Sequence, residues 1–489
     1  MNVLIDTNII IPLEDAGREL DKRLAEIKRL SSALSIVFRT HPDQKHDIER
    51  DGDDVRKKIM LSRIEQYSPI PNPPQWSKAD LDDMSLLPAS DNDRVDNALL
   101  CAVYRNAVHL LLTEDKAIHR KAIHLGIQDR VYYIDAFLVY LRDRLTPQSA
   151  TQPPLGIRSG YLHQFNLKNR FFDSLRTGYH GFDDWFVRGA RENRECWYIG
   201  TLEQIGALVI RKAETDEVIT QDGKSLSGQA LKLCTFKVAD ELRGRKIGER
   251  LLYTAFQFAQ QQRLAWVYLT IDGNLQKELE TLCEDFGFDP IGVDVKGKRD
   301  GVWCKDMRTP SKTNSLSDLE YAVRYYPHYR KSGVFSKWLI PIRPPYHEML
   351  FPDVSDKRFW FPEFRDNPDE YGPYANTIKK AYLCHSNVRE IKAGDLVYFY
   401  RSQDRQSVQC VGIVEHSFRS TNVQDILTAI SKRSVYSQTD VERMARKETL
   451  VILFRLLEYL IPPIDAAALR RGGVSGPIQS IRKLKGIFV

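Results

Sequence analysis

MNVLIDTN, residues 1–8, ends a short apolar run in a carboxylate. Val3, Leu4 and Ile5 form the continuous apolar run that a parallel strand buried on both faces requires, and Asp6-Thr7-Asn8 follows at its carboxyl end. In an open α/β sheet, ligands bind outside the carboxyl ends of the strands, so Asp6 stands where a site would be. An Asp in that place also serves as a helix N-cap, so one instance does not separate the two readings. The arrangement recurs about a hundred residues later. Ala107–Leu112 (AVHLLL) is a second apolar run, and it ends in Thr113-Glu114-Asp115, so Asp115 follows a second strand as Asp6 follows the first.

Two further carboxylates accompany this pair. Asp93-Arg94-Val95-Asp96-Asn97 opens an amphipathic helix and puts Asp96 in its first turn, where free N–H groups stabilise an anion. After the apolar run Ala33–Phe38 comes HPDQKHDIERDGDD (residues 41–54); a helix there would place Asp47, Asp51 and Asp54 on one face. Like charges stacked in this way repel, and a divalent cation would relieve the repulsion; a solvated acidic face is the ordinary alternative.

LIDTN, the DxxDN helix start, LLTED and the closing GIQDRVYYIDAFLVYL (residues 126–141) together resemble the PIN domain, a metal-dependent ribonuclease fold, over residues 1–145. The resemblance implies a parallel α/β sheet and assigns metal-binding and catalytic roles to Asp6, Asp96 and Asp115. For the second acid it implies Asp47, with Asp51 as the alternative and Asp93 as an accessory. The chemistry agrees with such a set. Mg²⁺ and Mn²⁺ are hard cations that prefer oxygen ligands, and they can orient and acidify a water while neutralising charge on a phosphate. The expectation is activity that disappears in chelator.

At 489 residues the chain is too long for one core, and its length suggests about three domains. Its 28% charged and 42% hydrophobic composition belongs to an ordinary globular protein. The N-terminus has no basic region ahead of its apolar run, unlike a signal peptide. The longest apolar stretch, Leu450–Leu460, contains Arg455 and Glu458 and is too short to cross a bilayer, so a cytoplasmic protein with no membrane partner is expected. The seven cysteines include no CxxC pair, which points to reduced thiols and away from zinc. Charge is uneven. Residues 1–145 carry 21 basic and 24 acidic side chains, or −3, whereas residues 311–489 carry 27 and 19, or +8, an excess that favours a polyanionic partner such as nucleic acid.

Polar, Pro-containing stretches at residues 144–154 and 309–315 mark boundaries. They divide the chain into domains at 1–145, 155–310 and 317–489. In the middle one, the strand-like Leu231–Val238 precedes DELRGRKIGERLLYTAFQFAQQQ (residues 240–262). A loop with Arg243, Gly244, Arg245, Lys246 and Gly248 leads there into an amphipathic helix. Backbone N–H groups at such a helix start, with added positive charge, can cradle a pyrophosphate. RGRKIGE, the strand WVYLTI (residues 266–271) and LCEDFGF (residues 282–288) resemble the GNAT acetyltransferases over residues 170–305. The resemblance implies acetyl-CoA bound by Val238, Arg243, Gly244, Arg245, Lys246, Ile247 and Gly248, with an oxyanion held by N–H groups of Cys234–Val238. Lys246 replaces the first Gly of the family's loop, and Cys283 stands where many members carry a Tyr acid. Cys283 can therefore be read as a substitute acid or as a small core residue.

In the third domain, residues 378–418 read as a strand at Ala381–Cys384, a Gly394-Asp395 turn, an alternating strand Leu396–Tyr400 and a strand Val408–Val414. The GD turn, LVYFY and CVGIVE resemble the PUA-like barrels, which include the ASCH and EVE domains, and so imply a β-barrel with helices that binds RNA. Arg343, Lys379, Lys380, Arg389, Lys392, Arg401, Arg405 and Arg419 interleave with Tyr346, Trp360, Tyr374, Tyr382, Tyr398 and Tyr400, a pattern that can hold phosphates and stack bases. Alternation puts about half of the LVYFY side chains inside. KWLIPIRPPYHEMLFP (residues 337–352) reads as irregular structure around the barrel.

The expectation is thus a multidomain α/β endoribonuclease acting on RNA, with tRNA as the leading substrate. PIN and GNAT domains both occur as toxins, so a toxin or phage-defence effector and an antitoxin-like inhibitor are expected by analogy, as is a homodimer. The competing expectation is an N-acetyltransferase whose other domains only bind nucleic acid or a partner.

Overall fold

The five strands of the first sheet are β1 (Asn2–Ile5), β2 (Val37–Thr40), β3 (Ser68–Pro69), β4 (Leu110–Leu112) and β5 (Val131–Tyr132). They are parallel and run in the order β3-β2-β1-β4-β5. The short apolar runs explain the placement. Val3, Ile5, Leu110 and Leu112 enter one core, while Leu4 and Leu111 enter another on the opposite face, so both central strands are buried on both sides. The computed structural model describes residues 1–489 except 16–18, 51, 85, 146–155, 274–275, 296–299, 309–314, 352–376, 434, 475 and 485–489. The alternative acid Asp51, the greater part of both boundary stretches, Trp360 and Tyr374 lie outside the described residues.

Among the described residues of 1–148, the helices accompanying this sheet are α1 (Thr7–Glu14), α2 (Lys22–Ala33), α3 (Gln44–Glu49), α4 (Asp54–Ile64), α5 (Lys78–Asp83), α6 (Asp91–Tyr104), α7 (Lys116–His124) and α8 (Ile134–Leu145). α1, α2 and α8 supply one core; α6 and α7 supply the other. After β3 the chain returns to the far side of β1 to form β4, so the strand order reverses between β1 and β4. That reversal leaves a crevice at the carboxyl ends of these two strands.

By its internal contacts the chain forms two compact units. Unit 1 consists of residues 1–148 together with 422–432 and 436–443. Within unit 1, Ser431 Oγ donates to the Asp129 carbonyl at 3.0 Å, and the Lys432 ammonium lies 4.0 Å from the Tyr132 ring centroid.

Unit 2 holds two mixed sheets. Its first comprises β6 (Arg158–Tyr161), β7 (Glu195–Gly200), β8 (Ile205–Thr215), β9 (Gln229–Val238), β10 (Trp266–Ile271), β11 (Asp289–Val293) and β12 (Gly301–Asp306), in the order β11-β12-β10-β9-β8-β7-β6. Only β9 and β10 are parallel. Its helices are α9 (Asp173–Gly178), α10 (Phe182–Arg191), α11 (Ile247–Gln261) and α12 (Lys277–Asp285). After α13 (Asp318–Arg324), β13 (Lys337–Ile342) and α14 (Pro344–Leu350) come β14 (Lys379–Cys384), β15 (Leu396–Arg401), β16 (Ser407–Ser420), β17 (Thr449–Asp465) and β18 (Arg482–Lys483). The last sheet runs β14-β17-β16-β15-β13-β18. Among the described residues no ladder joins β14 to β18, so the sheet has two edges where a closed barrel was expected.

Three local expectations change. KWLIPI is an interior strand, β13, parallel to β15, and PPYHEML is α14, so this stretch is regular where Pro suggested irregularity. The Pro residues fit because Pro344 and Pro345 sit in the first turn of α14, which needs no N–H donors. Asp47 and Asp54 do not share one helix face, because α3 ends at Glu49 and Asp54 begins a separate helix. LVYFY is buried at every position, not at alternate ones, because its sheet is covered on both faces. No described helix is long and apolar enough to cross a membrane, and all seven cysteines are free thiols.

Candidate functional site

Asp6 leaves β1 and caps α1, and its carboxylate is only 6% exposed. Three donors hold it: Thr7 N–H to Oδ1 at 2.6 Å, and Asn8 Nδ2 and Thr113 Oγ1 to Oδ2 at 2.7 and 2.6 Å. Thr113 directly follows β4, so one hydroxyl ties the ends of the two central strands together at the crevice. The same hydroxyl accepts from the Asp115 N–H at 3.0 Å, and Asp115 caps α7 by accepting from Ala117 and Ile118 N–H. Asp47 is reached from the other side, where Thr7 Oγ1 donates to its Oδ2 at 3.4 Å. Fully buried Gln44 anchors the start of α3 beneath β1 by donating to the Ile5 carbonyl at 2.9 Å, which sets where Asp47 can stand.

Asp96 differs from its sequence reading. Ser90 is the N-cap of α6 and Asp91 and Asp93 occupy its first turn, so Asp96 lies a turn further in and has no capping role. Burial pushes its carboxyl up to about 7, and the negative charges of Asp115 and Asp6 add to this. Asp6 is pushed up to about 6, by burial above all and then by Asp115 and Asp47, against the lowering effect of its Thr113 and Thr7 bonds. Asp47 is raised as well, through burial, against its ion pair with Arg50. Neighbouring carboxylates add to the burial-driven elevation of Asp6 and Asp96, whereas Asp47 is raised by burial alone. The structure therefore brings Asp6, Asp47, Asp96 and Asp115 to one crevice at the switch point.

Asp93 stands apart in sign. Burial works against ionisation, but its bonds from Lys121 and the Ala89 N–H, with the Lys121 charge, hold it below the usual carboxylate range. Lys121 also donates to Asn97 Oδ1 at 2.8 Å. Thr7, Asn8, Gln44, Thr113 and Lys121 were not singled out from sequence. The available signal was a polar pair (Thr-Asn) directly after one apolar strand and a Thr directly after the other.

Among the described residues, no group of three or more His, Cys, Asp or Glu side chains is arranged to hold a metal ion. Mg²⁺ does not require one, because it keeps several waters and is commonly bound through one or two carboxylates plus substrate phosphate. The donor set here is all oxygen, and its raised carboxyls are those that a bound cation would favour in ionised form. Donor type thus suits a hard divalent cation, but the described residues form no metal site.

In unit 2, the loop between β9 and α11 carries Gly244 and Lys246, both with left-handed backbone, at φ 78° and 59°. Lys246 thus adopts the conformation that a Gly would take most easily. Its ammonium turns back to buried Glu249 at 2.6 Å, and Arg243 pairs with Asp240 at 2.9 Å, so both cations have carboxylate partners of their own. Ile247 is buried, and Gly248 packs so closely on Leu282 that a Cβ would meet it at 2.9 Å. The β8–β9 register skips Cys234, and the parallel pairing of β9 with β10 ends at Leu233–Leu269. From Cys234 to Val238 the ladder is therefore interrupted on one side and unpaired on the other among the described residues. Cys283 is fully buried and its thiol is pushed well above the ordinary value by burial, which places it among the core residues and not at a reacting centre.

In the last sheet, Lys379, Lys380, Arg401, Tyr398 and Tyr400 are buried, contrary to their expected place on an RNA-facing surface. Lys379 is bound to Asp285, and Arg401 to Glu348 and Asp404. Burial of a charge is tolerated when a carboxylate accompanies it. Lys392 and Arg405 are exposed, while exposed Arg389 and largely covered Arg419 share Glu448.

No family model and no curated protein matches this sequence. Among solved structures, ASCH from Zymomonas mobilis is 14% identical, covering 30% of this chain and 87% of that one, with a TM-score of 0.22. NAA60 of Arabidopsis thaliana in complex with acetyl-CoA is 14% identical, with 30% and 97% covered and a TM-score of 0.23. Arylalkylamine N-acetyltransferase 2 from Aedes aegypti is 9% identical, with 31% and 100% covered and a TM-score of 0.23. At such scores these likenesses carry no functional argument.

Proposed function

We propose that residues 1–145 form a PIN-type, metal-dependent endoribonuclease whose ligand and catalytic set is Asp6, Asp47, Asp96 and Asp115. The observation that carries this reading is the carboxylate grouping at the β1/β4 crevice, where Thr113 Oγ1 donates to Asp6 and accepts from the Asp115 N–H, and where burial, with neighbouring carboxylates adding to it, raises both Asp6 and Asp96. A bound Mg²⁺ or Mn²⁺ would orient and acidify a water and neutralise charge on the scissile phosphate. The residues supply position. Thr7, Asn8 and Thr113 hold both oxygens of Asp6, Thr113 sets the backbone of Asp115, and Gln44 sets the helix that carries Asp47. RNA is the proposed substrate, with tRNA as the leading candidate. A toxin or phage-defence effector restrained by an inhibitor protein is the setting we propose for it, and pairing of two copies is part of the same reading.

A second activity is proposed for residues 155–310, a GNAT-like domain that binds acetyl-CoA through Val238, Arg243, Gly244, Arg245, Lys246, Ile247 and Gly248. Support comes from the interrupted ladder at Cys234–Val238, whose backbone groups lie beside the positive-φ loop at the start of α11. Residues 317–489 are proposed as a PUA-like RNA-binding domain on the strength of the GD turn and the basic excess alone, since much of the basic and aromatic pattern proved to be interior.

The test is electrophoresis of total cellular RNA after incubation with the chain and Mn²⁺, beside Asp6→Asn and a chelator control. Discrete fragments lost in both controls would support the nuclease. RNA left intact by the parent chain would refute it and favour an acetyltransferase, which labelled acetyl-CoA would then test.

A further inference from the structure

An RNA phosphate approaching four carboxylates meets repulsion before any ion can help, so the crevice needs a cation of its own at a fixed place. Among the described residues, Arg50 beside Asp47 and Lys121 beside Asp93 bring positive charge to it. Arg50 is the C-cap of α3, and its side chain is 38% exposed. Lys121 is built in. It projects from α7, whose N-cap is Asp115, and is held by Asp93 and Asn97, three residues before and one residue after Asp96 along α6. Its charge acts on Asp96 directly. An ammonium has three N–H donors, and these two oxygens take two of them, with the side chain still about one-fifth exposed.

We infer that Lys121 is the substrate-anchoring cation of the crevice, giving its remaining N–H to an RNA phosphate while Asp93 and Asn97 hold it in place. The inference rests on the nuclease reading and adds a binding contact to it. A mere tie between α6 and α7 would use the same two partners, so the test must separate the roles.

In the Asp6→Asn background, where RNA is bound but not cut, affinity for a single-stranded oligoribonucleotide is measured over a range of salt concentrations. Lys121→Met should weaken binding several-fold and reduce the slope of log Kd against log salt by about 0.7, the loss of one phosphate contact, while Lys121→Arg restores most of it. Asp93→Asn removes the competing anion but leaves the ammonium, so it should bind RNA at least as tightly as the background. A tie would make Asp93→Asn behave like Lys121→Met. An unchanged slope in Lys121→Met, or equal losses in the two variants, would overturn the inference even though the parent chain cuts RNA. A parent chain that neither cuts nor binds RNA would overturn the nuclease reading and the inference with it.

Discussion

Asp6→Asn should make the metal-free chain more resistant to unfolding above neutral pH and less resistant in acid. The folded carboxyl titrates at about 6 against an ordinary value of 3.8, with burial as the main cause. That gap corresponds to roughly 3 kcal/mol at 1.36 kcal/mol per pH unit. The sign follows from the direction. A carboxyl raised in the folded state contributes stability that is present below its unfolded value and is lost as pH rises through the folded one, so the window lies between about 4 and 6. Asn cannot ionise and loses nothing there. It does place an NH₂ against Asn8 Nδ2 and Thr113 Oγ1, which now donate to Oδ2, and one mismatched bond costs about 1 to 1.5 kcal/mol. The variant should thus be about 1 kcal/mol less stable near pH 4 and 1 to 2 kcal/mol more stable above pH 7. For a unit of this size that swing is roughly 6 to 12 °C in Tm. Calorimetry of the full chain in chelator gives the curves, and hydrogen exchange of the β1 amides identifies the transition of unit 1. Excess Mn²⁺ should flatten the curve of the parent and leave that of the variant. Parallel curves for the two proteins across this range would refute the reasoning, because they would mean that ionising Asp6 costs the fold nothing.

Other expectations test the remaining structure. Cys283→Ala should leave any acetyl transfer unchanged and cost about 1 kcal/mol, since its thiol is core packing; a loss of kcat with acetyl-CoA binding intact would restore it as an acid. Arg455→Met should destabilise unit 2 by about 2 to 4 kcal/mol in denaturant titration, because Glu415 and Asp285 lose a buried partner while Arg433 and Lys379 remain. Gly287→Ala should cost more than about 2 kcal/mol, since φ is 75° and the new Cβ would stand 2.6 Å from the Arg324 carbonyl; an unchanged Tm would contradict that contact.

The interior of the last sheet shows why part of the chain was misread. Lys379 and Lys380 look like a basic edge beside Tyr382, yet both are buried, and Lys379 is neutralised by Asp285, nearly a hundred residues earlier. No local pattern announces a partner at that separation. LVYFY failed in the opposite way. Alternation would bury about half of this strand, whereas a run without polar interruptions is what burial on both faces produces. Asp96 was placed one turn too early because Ser90, the residue that caps α6, precedes a run of three aspartates that all resemble first-turn anions.

What the amino-acid order determined by itself is the local chemistry: apolar runs at Val3–Ile5 and Leu110–Leu112, each closed by a carboxylate, and a loop of glycines and cations before an amphipathic helix. These depend on neighbours within a few residues, where side-chain period and backbone preference act directly. Only the tertiary structure decided that β4 pairs with β1 and not with β3, and so that Thr113 reaches Asp6 across 107 residues of sequence. It alone put Asp96 near enough to Asp6 and Asp115 to feel their charge, in a space dry enough to raise its carboxyl. Strand order and desolvation arise from packing distant segments against each other, and their energies do not exist until those segments meet.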